Sequence, residues 1–122
     1  MRRCMIVDDS SVIRKVAKRI LGGPDMIVVE AANGREALSM CGAELPDIIL
    51  VDGVLPDMQT VDFIREVMSI DPHFKPSVVI CMTEFDVGAI MRAKRAGAKG
   101  YILKPFNRPL LLERFREMQL AA

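Results

Sequence analysis

The sequence predicts an α/β fold: an open, doubly wound sheet of five parallel strands in the order 2-1-3-4-5, with helices on both faces. Three observations predict it. Short apolar runs alternate with longer amphipathic stretches five times over, and strict alternation of strand and helix implies right-handed crossovers and a parallel sheet. Several of the runs are continuously apolar, as strands covered on both faces should be. The third observation is length: 122 residues make one domain with its own core, whereas a closed eightfold barrel needs about twice as many.

The first strand is expected at 3–7 and the first helix at 10–21. Ile13, Val16, Ala17 and Ile20 share one face of that helix, with Arg14, Lys15, Lys18 and Arg19 largely on the other, and Gly22-Gly23-Pro24 closes it. A second strand at 26–30 leads to Asn33-Gly34, which opens a helix over 34–43. The third strand, 47–51, precedes a helix at 58–69. The fourth, 77–82, precedes a helix at 86–96 that Gly97 closes. The fifth, 100–103, precedes a helix at 108–120.

Composition excludes several classes of function. Net charge is +1, so no whole-molecule field argues for nucleic acid or a membrane surface. No apolar stretch approaches the roughly 20 residues of a membrane helix. Met1-Arg2-Arg3 runs straight into a short strand rather than into the apolar core of a signal peptide. The cytoplasm is the expected location. Cys4, Cys41 and Cys81 lie far apart within apolar segments and read as buried free thiols. His73, in the turn-rich stretch Asp71-Pro72-His73-Phe74-Lys75-Pro76, is given no role.

The chemistry lies at the ends of the apolar runs. Asp8 and Asp9 follow the first, Asp52 the third, Thr83 the fourth and Lys104 the fifth. Each has a bland reading: Asp9 before Ser10 could cap a helix, and a lone Thr or Lys at a strand end is ordinary. Convergence decides the matter. In a sheet of order 2-1-3-4-5 these ends meet at the carboxyl edge near the switch point between strands 1 and 3, where such folds bind ligands. Three carboxylates so placed repel one another unless a cation intervenes, and magnesium suits an open site of few carboxylates and several waters. With that charge neutralised, a carboxylate can approach phosphorus. Asp52, on the central strand, is the best nucleophile; Lys104 could pair with phosphoryl oxygens and Thr83 could donate a hydrogen bond to them.

Val7-Asp8-Asp9-Ser10, Val51-Asp52 with Leu55-Pro56-Asp57-Met58, Thr83, Tyr101 and Lys104-Pro105-Phe106 together resemble the response-regulator receiver domain of the chemotaxis type, over nearly the whole chain. The resemblance implies a flavodoxin-like receiver over residues 1–122 without an output domain, and a phosphorylation-dependent switch rather than an enzyme. Asp52 would take a phosphoryl group from a histidine kinase or histidine phosphotransfer protein. Asp9 would bind Mg2+ directly, Asp8 mainly through water, and the Val54 backbone carbonyl would add a ligand. It implies a cis peptide before Pro105 that aims Lys104 inward. Thr83 and Tyr101 would be the switch pair, changing the affinity of the face made by helix 4, strand 5 and helix 5 for a downstream target protein.

Departures from the pattern carry expectations of their own. Glu84 stands where such domains usually have a small residue, and puts a carboxylate beside the phosphoryl position. Val54 and Phe85 are apolar where the family tunes hydrolytic water, which implies slow loss of the phosphoryl group. Gln59-Thr60 replaces an acidic residue and a glycine, and Asp57 is expected to cap or approach the start of helix 3 rather than to bind metal. The basic face of helix 1 is either solvated or a dock for an acidic phosphodonor. Leu110, Leu111, Leu112, Phe115 and Met118 exceed one buried stripe on helix 5, so one or two should be exposed, fitting a homodimer or a target helix.

Competing readings stay open on the sequence. A receiver-like scaffold that is not phosphorylated, or a phosphate sink in a phosphorelay, fits the same residues. A phosphohydrolase with an aspartyl nucleophile would want a second acid/base Asp close after the first, where Gly53 and Val54 stand. A flavin-binding fold would want its first loop to cradle phosphate, which Asp8-Asp9 would repel.

Overall fold

The computed structural model describes residues 1–120. Five strands, β1 (Arg2–Val7), β2 (Met26–Ala31), β3 (Ile48–Asp52), β4 (Ser77–Met82) and β5 (Gly100–Leu103), alternate with five helices, α1 (Ser11–Leu21), α2 (Gly34–Ala43), α3 (Thr60–Met68), α4 (Val87–Ala96) and α5 (Arg108–Glu117). The strands form one sheet in the order β2-β1-β3-β4-β5, every pair parallel. The predicted architecture and strand order hold.

Period-two alternation divides the strand residues between two cores. Met5, Val7, Ile49, Val51, Val78 and Ile80 pack with Phe63, Ile64, Val67 and Ile90 of α3 and α4. Cys4, Ile6, Ile48, Leu50, Val79, Cys81 and Ile102 pack with Ala17, Leu111 and Phe115 of α1 and α5. The second set fixes the site: Asp8, Asp52, Thr83 and Lys104 each continue its parity at the carboxyl ends of β1, β3, β4 and β5. The same alternation that buries the α1/α5 core therefore delivers all four side chains to one face of the sheet's edge.

The caps follow the sequence signals. Ser10 caps α1 by accepting from the Ile13 amide, Asn33 caps α2, Asp86 caps α4 and Asn107 caps α5. Gly97 ends α4 at φ 122°, a conformation that favours glycine. Helices α1 and α4 each start one residue later than predicted, at the cap, and two helices are shorter by more than that. Helix α3 begins at Thr60 instead of 58 because Gln59 is extended and Met58 packs over Gly34, where a Cβ would lie 2.3 Å from its sulfur. Helix α5 stops at Glu117 because Gln119 turns into the left-handed region. Leu120 then folds back into the α1/α5 core, and Arg2 donates to its carbonyl.

The three cysteines are free and buried, and burial pushes the thiol of Cys4 up to about 12 and that of Cys41 to about 11. Such thiols are protonated and inert at neutral pH. Among the described residues no helix is long and apolar enough to cross a membrane.

Candidate functional site

Asp52 is the last residue of β3, and the β3–β4 ladder pairs it with Cys81. Asp8 follows β1, its amide donating to the Ala31 carbonyl and its Oδ1 accepting from the Ser10 amide. This local turn swings the chain from β1 into α1 and leaves Asp9 exposed at the rim. Asp8 itself is only 2 % exposed, which an unpaired carboxylate would not tolerate. Its partner is Lys104: Nζ lies 2.9 Å from Asp8 Oδ2 and 3.4 Å from Asp52 Oδ2. The peptide between Lys104 and Pro105 is cis, as the resemblance implies.

Ligand oxygens of Asp8, Asp9 and Asp52 lie within 4.8 Å of one another. One ammonium among three carboxylates leaves excess negative charge in a partly buried site. Burial raises the pKa of Asp52, helped by the nearby charge of Asp8; the Val54 amide and Lys104 oppose the rise without cancelling it. For Lys104, burial pulls the pKa down, but the hydrogen bond to Asp8 and the charge of Asp52 outweigh it, and the net direction is up. The donor set is oxygen alone, with no thiolate or imidazole. It fits a hard divalent cation such as Mg2+.

Asp52 and Lys104 open onto a depression lined also by Val54, Thr83, Glu84 and Phe85. The structure thus brings the nucleophile candidate, the ammonium, the hydroxyl and the departures at Val54, Glu84 and Phe85 around one opening. Val54 is 80 % exposed, and its amide donates to Asp52 Oδ1 at 3.2 Å. Tyr101 stands on the neighbouring strand, half-buried. Phe85 meets its ring edge-to-face at 5.6 Å, and the Arg114 guanidinium lies 4.8 Å from its centroid while donating to the Tyr101 carbonyl.

Other contacts escape a reading by motif. Asp57 does not cap α3; its carboxylate accepts from the Gly34 and Arg35 amides at the start of α2, 2.9 Å each. Those hydrogen bonds, Arg35 first, hold its pKa below the usual range. The only signal for this was the orphan amides that every helix N-terminus leaves to be satisfied. Thr60, noted only as replacing a glycine, donates its hydroxyl to the Asp52 carbonyl at 2.9 Å. The basic face of α1 is neither wholly solvated nor wholly free: Arg14 and Lys15 bond Glu30 of β2 at 3.1 and 2.7 Å, and Lys18 lies 3.9 Å from it. Arg14 also donates to the Asp8 carbonyl at 2.7 Å, tying α1 to the acidic site.

Leu110 and Leu112 of α5 are exposed while Leu111, Phe115 and Met118 are buried, as the surplus of apolar residues predicts. Val87 and Met91 of α4 and Leu103 of β5 are exposed as well.

Residues 4–116 match the family model of the response regulator receiver domain. The chain is 36 % identical over 113 residues to the chemotaxis protein CheY of Thermotoga maritima, covering 92 % of each. It is 34 % identical over 114 residues to that of Listeria monocytogenes, covering 93 % of this chain and 94 % of the relative. Among solved structures it resembles the chemotaxis response regulator CheY4 of Vibrio cholerae, with a TM-score of 0.88, 30 % identity, and 97 % and 98 % of the two chains covered. The parallel sheet, the acidic edge beside Lys104 and these likenesses agree: the chain belongs to the response regulator receiver domain family, of the CheY type.

Proposed function

We propose that this receiver domain is a phosphorylation-dependent switch of a two-component system, with Asp52 as its phosphoacceptor. The observation that carries the reading is the placement of the Lys104 ammonium between Asp8 and Asp52, inside a cluster of three carboxylates at the sheet's carboxyl edge. Asp8, Asp9, Asp52 and the Val54 carbonyl would hold Mg2+, which when bound supplies charge neutralisation for the donor's phosphoryl oxygens.

The chain's own residues do the rest. A carboxylate oxygen of Asp52 forms a bond to phosphorus as the bond from phosphorus to the donor's leaving group breaks, the electron pair departing with that group. Lys104 offers an ammonium to the phosphoryl oxygens. Thr83, on the same opening, donates its hydroxyl to them. The donor is a phosphohistidine of a histidine kinase or histidine phosphotransfer protein. Tyr101, held between Phe85 and Arg114, responds to the movement of Thr83 and biases the face that carries Val87, Met91, Leu103 and Leu110. A downstream target protein, or a second copy of the chain, reads that face.

Exposed Val54 and Phe85 offer no polar group to orient water at Asp52, so the phosphoryl group should persist. Val54→Asn is expected to shorten its lifetime, because the amide adds a polar group that can orient water at Asp52. A wild type that loses phosphate faster than this variant contradicts that part of the proposal.

Exposure to acetyl phosphate and Mg2+, followed by intact-mass measurement, tests the core. Wild type should gain one phosphoryl mass and Asp52→Asn none. A wild type that gains nothing from acetyl phosphate or from phosphohistidine donors favours the scaffold reading, for which the Glu84 carboxylate lining the same opening is the specific observation.

A further inference from the structure

We propose that Thr60 is a positioning residue for Asp52, acting through the hydrogen bond from its hydroxyl to the Asp52 carbonyl; this rests on Asp52 being the phosphoacceptor. Asp8 and Thr60 are the polar residues buried in the fold among the described residues, and Thr60 is 8 % exposed. As the first residue of α3, Thr60 follows a helix cap, Gln59, whose side chain makes no capping bond. Its own hydroxyl leaves the helix and crosses to β3.

The carbonyl it reaches is at a break in the sheet. The β1–β3 ladder ends at Val7 and Val51, one residue before Asp52. The Asp52–Gly53 peptide turns its N–H toward β4, where the Gly53 amide donates to the Cys81 carbonyl at 2.7 Å. The carbonyl of that same planar peptide therefore points away from β4, toward the side where β1 has ended. Thr60 supplies the donor that the ladder does not. The peptide plane directly after the Asp52 Cα is thus held from both sides, by Cys81 on the N–H and Thr60 on the C=O.

Two functional groups depend on that plane. It sets the direction in which Asp52 presents its carboxylate, and the path of the chain to Val54, whose amide bonds Asp52 Oδ1. It also sets where the Val54 carbonyl points. The Val54 side chain, 80 % exposed, adds no packing to the turn, and Gly53 lies so close to the Cys81 carbonyl that a Cβ would lie 3.2 Å from it. Removing the Thr60 hydroxyl releases one of the two holds on the plane. A misplacement of about 1 Å at a reacting group costs up to about 100-fold in rate.

The test compares Thr60→Val, which keeps the shape without the hydroxyl, with Thr60→Ser, which keeps the hydroxyl without the methyl. Two readouts are taken: the rate of phosphoryl gain from acetyl phosphate at saturating Mg2+, and the amide resonances of Gly53 and Val54 in the resting protein. T60V should be slowed about tenfold or more, with both resonances shifted, while Val67 at the far end of α3 is unmoved. T60S should retain both the rate and the resonances. A T60V rate and spectrum equal to wild type overturns the proposal. So does a T60S as impaired as T60V, since packing of the methyl would then be the whole effect. If T60V does not fold, Thr60→Ala takes its place in the same comparison. If wild type gains no phosphoryl group, the phosphoacceptor reading fails, and the resonances alone decide whether Thr60 positions the peptide: a shift in T60V without one in T60S supports it, and equal behaviour overturns it.

Discussion

At the sheet's carboxyl edge three carboxylates, Asp8, Asp9 and Asp52, gather around one ammonium, Lys104. Beside α1 the ratio is inverted: three cations, Arg14, Lys15 and Lys18, gather around one carboxylate, Glu30. Arg14 belongs to both, through Glu30 on one side and the Asp8 carbonyl on the other. The difference lies in where the surplus charge is kept. Lys15 and Lys18 are more than half exposed, so water and salt screen their excess. Asp8 and Lys104 are nearly enclosed, so the excess negative charge beside them is felt across the site. The sign of each pKa shift agrees. Glu30 is lowered, first by its hydrogen bond to Lys15, whereas Asp52 is raised, first by burial. One cluster leaves its surplus to solvent; the other has room for a cation and a use for it.

The sharpest way to break this contrast is to remove the one cation at the edge. Lys104→Met should lose about 3 kcal/mol of stability, because it leaves the enclosed Asp8 carboxylate without its partner. Mg2+ should restore part of the loss, since a ligand that binds only the folded state stabilises it. Urea unfolding with and without MgCl2 checks both. A Lys104→Met protein as stable as wild type, and indifferent to Mg2+, would show that the edge is not short of positive charge.

Asp52→Asn should act in the opposite direction and more weakly, stabilising the metal-free fold by less than about 1 kcal/mol after allowance for solvent at a half-open site. The folded chain holds Asp52 above its ordinary value of 3.8, so the folded state binds the proton more tightly than the unfolded state. Wild-type stability from this group therefore falls as pH rises through that value and toward the raised one. The advantage of the variant should be absent below pH 3.8 and complete at neutrality. Thermal melts across pH without metal measure it.

Glu30→Gln should have the smallest effect, a loss of about 0.5 kcal/mol or less at low salt. The depressed pKa of Glu30 contributes stability above its ordinary value of 4.5 that disappears as pH falls below it. The difference between wild type and variant should vanish in acid, and shrink in high salt as well. A large, salt-independent loss would mean that the α1 cluster is as enclosed as the site.

Much of this was legible in the sequence because period-two alternation is a strict rule. Once Ile48 and Leu50 face the α1/α5 core, Asp52 must follow them, and Asp8, Thr83 and Lys104 obey the same count on their strands. The strand order then brought the four ends together. What the alternation does not encode is how loops satisfy orphan backbone groups. Asp57 caps α2 across 22 and 23 residues of chain, and Thr60 caps the end of β3. Nothing local in either residue names its partner. The α1 cations misled for a related reason: Glu30 sits on an edge strand 15 and 16 residues away, and only the fold brings it under them. Phe85 lines the opening at Asp52, and its ring also rests on Tyr101, a contact that no motif names.

The central claim is that the acidic edge, loaded with a cation, directs a phosphoryl group to Asp52 and nowhere else. Peptide mapping of wild-type protein treated with acetyl phosphate, in MgCl2 and in excess chelator, tests it most directly. The account predicts one modified peptide, the one containing Asp52, in MgCl2 and almost none in chelator. Modification of the peptide carrying Asp8 and Asp9, or equal labelling with and without the metal, would contradict it.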